Sequence, residues 1–352
     1  MTSGGSFFTL EHIRDCAFHS SLALTEQAIH CLELVRELAE SGLAFQFKGG
    51  NSLLLVLDTP ERFSIDVDIA TDQPAETITT ILDGIIKRYG IFTRWKKRQH
   101  KTKPWIPLSS YYLFYPSTVD DNADTSIMLD VQMHLSPYAC QLKPVRLLQV
   151  YDSDATVEVP LPSSSIGDKL LTLGPATLGI PVGKGKEAQR LKHVFDVSRL
   201  LDMNPSLSAA RESFRSCLAF ENTLQQRTLT TESIAEDTLT ALRTVVAFPE
   251  KPSESTGNAV LDEHITGHEP FAGHLFARSY SWMDLRIDMA RVASCMAAVA
   301  NPEVTDTAFE ALFSDNRRKH IFDGEDAVSR FWNYALEWFP DGNEQPADGS
   351  RM

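Results

Sequence analysis

The chain has 352 residues, 43% of them hydrophobic and 23% charged, with a formal net charge of −14. That length gives room for a sizeable core and for two domains or one large one. The acidic balance argues against a whole-surface nucleic-acid binder and leaves only a local basic patch for such a role.

Cysteine usage fits a reducing compartment. Cys16, Cys31, Cys140, Cys217 and Cys295 are scattered, with no CxxC pair, and read as reduced core thiols. The N-terminal MTSGGSFFTL lacks the basic and apolar regions of a secretion signal. No apolar run reaches the length of a membrane span. A cytoplasmic protein with no membrane partner is expected.

In chain order, Leu10 to Ser41 reads as helical. Leu22, Leu24, Ala28, Leu32, Leu34, Val35 and Leu38 form its apolar stripe, which also holds His30 and Cys31 as packing residues. A short strand beginning at Phe45 then runs into Lys48-Gly49-Gly50-Asn51-Ser52. An apolar run, Leu53 to Leu57, follows. Arg62-Phe63-Ser64 leads into a second strand, Ile65 to Ala70, carrying Asp66 and Asp68.

Residues i and i+2 of a strand share a face. Asp66 and Asp68 therefore project together, while Ile65, Val67 and Ile69 face a core. Adjacent carboxylates repel and are costly to bury unpaired, and a hard cation such as Mg²⁺ relieves that conflict. Glycines directly after a strand let backbone N–H groups approach an anion, and a helix N-terminus adds a favourable dipole. A phosphate cradle beside paired carboxylates is equipment for metal-assisted phosphoryl or nucleotidyl transfer.

Further on, Ala75 to Tyr89 reads as a helix ended by Gly90. Ile91 to Arg98, Tyr111 to Tyr115 and Ser126 to Met133 read as strands. Asp130 lies on the polar face of the last of these, between Leu129 and Val131. The tract Arg94 to Lys103, bracketed by Trp95 and Trp105, is the most basic of the chain. Two readings of it stay open. One is a contact for phosphates with a Trp available to stack on a base. The other is a solvated hairpin whose lysines protect a sheet edge.

Thr156 to Leu161 reads as one more strand, and the PLPSSS punctuation after it marks a boundary. Beyond it, strand patterns largely give way to helices. Ser165 and Asp168 are placed to cap or begin a helix running through Lys169. Gly174 to Gly185 reads as a loop and Lys186 to Leu201 as a helix. Helices are also expected over about 206–227, 231–247, 281–300 and 326–338. Gly183-Lys184-Gly185-Lys186 lacks a full phosphate-loop pattern and reads as a mobile basic cover. Arg190 fits either surface or site. Lys251 to Pro270 reads as a long polar loop, with His264, His268 and His274 on or near it as surface histidines. Their spacing suits zinc, but no Cys joins them. The tail, 341–352, reads as disordered.

Taken together, Lys48-Gly49-Gly50-Asn51-Ser52-Leu53, Arg62-Phe63-Ser64 and Asp66-x-Asp68 resemble the AbiEii/AbiGii toxin family of the nucleotidyltransferase superfamily. Family members usually read K-G-G-T-A-L and R-F-S-x-D-x-D. Asn51-Ser52 replaces the common Thr-Ala, and Ile65 stands where Glu is frequent. Gly167-Asp168-Lys169-Leu170-Leu171 resembles a further family helix start. Lys192-His193-Val194-Phe195-Asp196-Val197 resembles another helix motif, with His193 where Asp is common.

The resemblance implies an α+β chain: a polymerase-β-like nucleotidyltransferase domain with a mixed sheet over about 1–165, then an α-helical domain over about 166–340, with nucleotide in the cleft between. It implies that Lys48, Gly49, Gly50, Asn51, Ser52, Ser64 and Lys169 bind an NTP co-substrate. Asp66, Asp68 and, as third carboxylate, Asp130 would ligate one or two Mg²⁺ ions. Lys169 and Asp196 would complete the active site. A solvent-facing strand Asp is the competing account of Asp130, and a structural ion pair that of Lys169 with Asp196.

The function implied is the toxin of a toxin–antitoxin or abortive-infection system. It would move a nucleotide onto RNA such as tRNA, or onto protein, and be countered by a cognate antitoxin. Two alternatives remain: a small-molecule nucleotidyltransferase, and a non-catalytic nucleotide-binding protein.

Overall fold

The computed structural model describes residues 5–88, 90–98, 107–314 and 324–340. The basic tract from Gln99 to Lys103, the bracketing Trp105 and the tail 341–352 lie outside the described residues. The fold is α+β, and the chain divides into two compact units. The first holds Met1–Leu161 and Ala272–Ser279, the second Pro162–Phe271 and Tyr280–Met352.

The first unit is built on a seven-stranded sheet. Its strands are β1 (Gln46–Lys48), β2 (Asp66–Ala70), β3 (Arg94–Arg98), β4 (Leu108–Pro116), β5 (Asp124–Gln132), β6 (Cys140–Leu147) and β7 (Tyr151–Pro160), in spatial order β3-β4-β5-β2-β1-β7-β6. The sheet is mixed: β2 with β5 and β1 with β7 are parallel, the other pairs antiparallel. Its core face carries Val67, Ile69, Tyr111, Leu113, Tyr115, Leu129 and Val131, all buried. The alternating residues Asp66, Asp68, Tyr112, Phe114 and Asp130 are half-buried on the other face.

Among its described residues this unit holds the α-helices α1 (Leu10–Cys16), α2 (Leu22–Glu40), α3 (Gly49–Val56) and α4 (Ala75–Lys87). The single helix expected over 10–41 is thus two. Phe18 takes a left-handed φ of 49°, and Ser21 caps α2 by accepting from the Leu24 N–H, so the chain restarts there. Apart from half-buried Gln27, residues Leu24 to Leu38 of α2 are buried. An Arg36 guanidinium ion-paired with Glu33, Glu37 and Glu40 lets that helix carry charge in a buried setting. The strand β6 and the first half of β7 were not legible in the sequence. Pro144 and exposed Leu142 break the alternation of β6, as an edge strand tolerates.

The second unit is helical: α5 (Pro162–Leu170), α6 (Glu187–Leu201), α7 (Leu207–Gln225), α8 (Thr231–Val246), α9 (Ala259–Ala272), α10 (Trp282–Ala300), α11 (Asp306–Ser314) and α12 (Gly324–Trp338). Helix α10 is buried along most of its length and packs against α6, α7, α8 and α12. Its Asp288 accepts from Ser198, Arg199 and Tyr280. Helix α5 starts at Pro162, earlier than Ser165, because Pro suits the first helical position. At Gly167 a methyl group would lie 2.6 Å from the Phe214 backbone nitrogen, so only glycine lets α5 cross α7 this closely.

Helix α9 corrects the expected loop over 251–270. Its buried positions, Leu261, His264, Gly267, His268 and Phe271, follow a helical period that histidines and glycine disguise. His264 and His268 are therefore core residues rather than surface ones. Burial pushes His264 down to about 3, aided by the Arg190 charge. All five cysteines are free, four buried and Cys140 half-buried.

Candidate active site

The glycine turn and the carboxylate strand are one structure. Strand β1 ends at Lys48, and α3 begins at once with no side-chain cap, leaving its first N–H groups without helical partners. Gly49 has a φ of +73°, and a methyl group there would lie 2.0 Å from Asp68 Oδ2. Glycine is required twice over, for the left-handed backbone and for the close approach of the Asp68 carboxylate.

The register sets the rest. Lys48 pairs with Asp68, Asp68 with Asp130, Asp130 with Ser110, and Ser110 with Arg98. Paired residues share a face, so one row across five strands reads Lys48, Asp68, Asp130, Ser110, Arg98. The next row reads Asp66, Met128, Tyr112, Lys96. The structure thus brings Asp66, Asp68 and Asp130 to one face beside the glycine turn.

Details qualify the individual roles. Lys48 Nζ donates to Gln132 Oε1 at 3.0 Å and to Ser136 Oγ at 3.4 Å. Asn51 and Ser52 are buried. Asn51 ties α3 to β2 by donating to the Asp66 carbonyl at 3.3 Å, and Ser52 donates within the helix to the Gly49 carbonyl at 3.0 Å. What these two residues can offer an anion is backbone N–H. Burial, with the Asp66 charge next, holds the Cys31 thiol well above its ordinary value against an opposing hydrogen bond from Asn51. Asp130 accepts from the Ser110 hydroxyl. Ser110 had no sequence signal, because only the β4–β5 pairing puts it beside Asp130.

The donor set suits a hard divalent cation, since three carboxylates on adjacent strands supply oxygen ligands. Among the described residues no three Asp, Glu, His or Cys side chains are already gathered as a ligand set.

The basic strand shares the carboxylate face only in part. Lys96 and Arg98 stand in the rows just given. Together with Lys97, Tyr112, Phe114 and Ser126 they line a concavity of about 580 Å³. Arg94 is ion-paired with Asp124 and stacks over Phe114. Trp95 is on the opposite face: it pairs with Leu113, and its indole N–H donates to Asp83 at 2.9 Å. It is therefore not available to stack on a base beside the carboxylates.

In the second unit, Lys169 Nζ meets Asp196 Oδ2 at 2.9 Å, with side chains 12% and 3% exposed. Thr172 Oγ1 bonds His193 Nδ1 at 2.7 Å one turn away. Arg190 is a core residue, not a surface one. It is 1% exposed and pairs with Glu263 at 2.8 Å. Glu263 also accepts the Gly183 N–H, which ties the exposed Gly183–Lys186 turn to α9.

A mixed sheet carrying three carboxylates next to a glycine turn fits the nucleotidyltransferase class. Residues 33–275 match the family described as nucleotidyl transferase AbiEii toxin, Type IV TA system, and the chain belongs to that family. Among solved structures, the nucleotidyltransferase toxin MenT4 of Mycobacterium tuberculosis H37Rv aligns over 91% of this chain and 97% of its own, with a TM-score of 0.54 and 14% identity; it shares the fold. An antigenic nucleotidyltransferase-like protein from Paracoccidioides brasiliensis aligns over 58% of this chain and 95% of its own, with a TM-score of 0.35 and 13% identity. No curated protein matches the chain.

Proposed function

We propose that this toxin moves a nucleotide from an NTP to a hydroxyl of an RNA acceptor, with pyrophosphate leaving, in the cytoplasm, in a reaction that depends on a divalent cation of the Mg²⁺ class. The observation that carries the reading is the row Lys48–Asp68–Asp130 beside the Gly49 turn. Asp66, Asp68 and Asp130 would hold the cation, which would neutralise triphosphate charge and make a hydroxyl more acidic. Backbone N–H groups of Gly49, Gly50, Asn51 and Ser52 receive triphosphate oxygens, with the Ser64 hydroxyl beside them. Lys48 adds positive charge at that end of the row. Lys169 is a point charge suited to phosphate, aimed by Asp196. Asp130 takes the proton of the attacking acceptor hydroxyl.

Support for an anionic acceptor comes from Lys96 and Arg98, which share the carboxylate face, and from the half-buried rings of Tyr112 and Phe114 between. A cognate antitoxin counters the activity.

Incubating the protein with each labelled NTP, Mg²⁺ and total RNA tests the reading. Label in an RNA band with wild type, absent with Asp68→Asn, is the expected result. Label in protein or a small molecule instead overturns the RNA acceptor. No transfer from any NTP to any acceptor overturns the proposal.

A further inference from the structure

Arg62 of the R-F-S motif lies directly under the glycine turn. Its side chain is buried, with the residue 6% exposed, and Nη1 donates to the Phe63 carbonyl at 3.2 Å. A methyl group at Gly50 would come within 2.6 Å of Arg62 Nη2 and 3.1 Å of Ser64 Oγ. Gly50 thus lets the first turn of α3 settle onto a guanidinium and a hydroxyl together. Any larger residue would push the guanidinium aside.

The backbone at Arg62 is fixed by a segment more than two hundred residues later in the chain. Arg62 bridges to Leu275. The Phe63 N–H donates to the His274 carbonyl at 3.1 Å, and the Phe276 N–H to the Glu61 carbonyl at 2.9 Å. Phe63 and Phe276 stack with centroids 4.3 Å apart, and Arg278 pairs with Glu61 at 3.2 Å. These contacts are why Ala272–Ser279 belongs to the first unit. The strap clamps Glu61–Phe63 between the glycine turn and the carboxylate strand.

A fixed positive charge beneath uncapped N–H groups adds to the helix dipole in favouring an anion. We infer that Arg62, held by the His274–Arg278 strap, is a positioning residue that sets the affinity of the Gly49–Gly50 turn for the triphosphate of the NTP. This rests on the proposed nucleotidyl transfer. Its effect falls on nucleotide binding rather than on the chemical step, because the guanidinium packs against the Gly50 position of the turn that would receive the triphosphate.

The test compares Arg62→Lys and Arg62→Gln with wild type in steady-state transfer, using pyrophosphate as a competing ligand. Arg62→Gln is expected to raise KM for the NTP about two- to thirtyfold, the weight of a charge at a helix N-terminus. Its inhibition constant for pyrophosphate should rise in parallel and kcat should change little. Arg62→Lys keeps the charge and should recover most of the loss. A purely structural arginine predicts instead that both variants fail alike, with kcat falling too.

Phe276→Ala leaves Arg62 in place and loosens the strap. It should raise KM in the same direction, and it keeps the inference testable if Arg62→Gln does not fold. The double variant Arg62→Gln/Phe276→Ala should be no worse than Arg62→Gln alone. Folded Arg62→Gln with wild-type KM, or Phe276→Ala with wild-type KM, overturns the inference while leaving the proposed function standing. Wild type that neither binds nor uses any NTP overturns the proposed function itself.

Discussion

Asp68 and Asp130 are register partners on the parallel strands β2 and β5, side by side on the half-buried face of the sheet. Like charges this close disfavour each other without a cation. Mg²⁺ or Mn²⁺ should therefore raise the melting temperature of wild type, by about 2–4 °C for each kcal/mol of binding. Asp68→Asn and Asp130→Asn should lose that response and, in chelator, melt no lower than wild type. Variants that keep the metal-induced shift would remove these carboxylates from the metal site.

Ser110 donates to Asp130 and is itself fully buried. Partners of this kind aim a ligand, and their loss typically costs about 10–100-fold in metal affinity. Ser110→Ala should raise the metal concentration needed for half-maximal transfer by that order, with kcat at saturating metal nearly restored. Ser110→Thr, which keeps the hydroxyl, should lie closer to wild type. A titration of activity against Mg²⁺ separates these outcomes.

Lys169 and Asp196 form a largely buried pair. Removing one partner of such a pair costs about 3–5 kcal/mol, because the other charge stays in a poor solvent. Lys169→Met and Asp196→Leu should each destabilise strongly, and the double variant by less than their sum. Urea unfolding of the three variants measures this coupling. Additive losses would mean that the two charges do not stabilise each other.

Lys96 and Arg98 share the carboxylate face, while Lys97 alternates away toward the Tyr111 ring at 6.0 Å. Replacing Lys96 and Arg98 by Ala should weaken binding to RNA and flatten its salt dependence, since fewer counterions are released. Lys97→Ala should have the smaller effect, and NTP affinity should hold in all three. Unchanged RNA affinity at low and high salt would favour edge protection as the role of this strand.

Two buried histidines predict a pH dependence. Burial drives His30 down to about 4, against opposing contributions from Glu26 and Glu33, and His264 to about 3, with Arg190 adding to the shift. Both stay neutral in the folded chain and regain a value near 6.5 on unfolding. Below that pH the unfolded state binds more protons, so the stability present at pH 7 is lost as pH falls toward 4. The slope is up to about 1.4 kcal/mol per pH unit for each histidine. Denaturant midpoints at pH 7, 6 and 5 should fall in that order, and His264→Leu should flatten the trend.

The sequence by itself determined the local facts. A period of two put Asp66 and Asp68 on one face. Glycines after a strand marked the turn, and helical periodicity located α7, α8 and α10, which the structure shows capped by Ser206, Thr230 and Ser281. These signals are legible because each arises between residues a few positions apart.

The tertiary structure decided which strand lies beside which. Pairing β2 with β5 is what aligns Asp68 with Asp130, Ser110 and Arg98, and it also turns Trp95 to the far face. It buried His264 and His268, whose helix looked like a polar loop, and it brought His274–Arg278 back to clamp Arg62. Strand register and long-range return of the chain leave no local pattern, because they are fixed by how buried surfaces fit together across distant parts of the sequence.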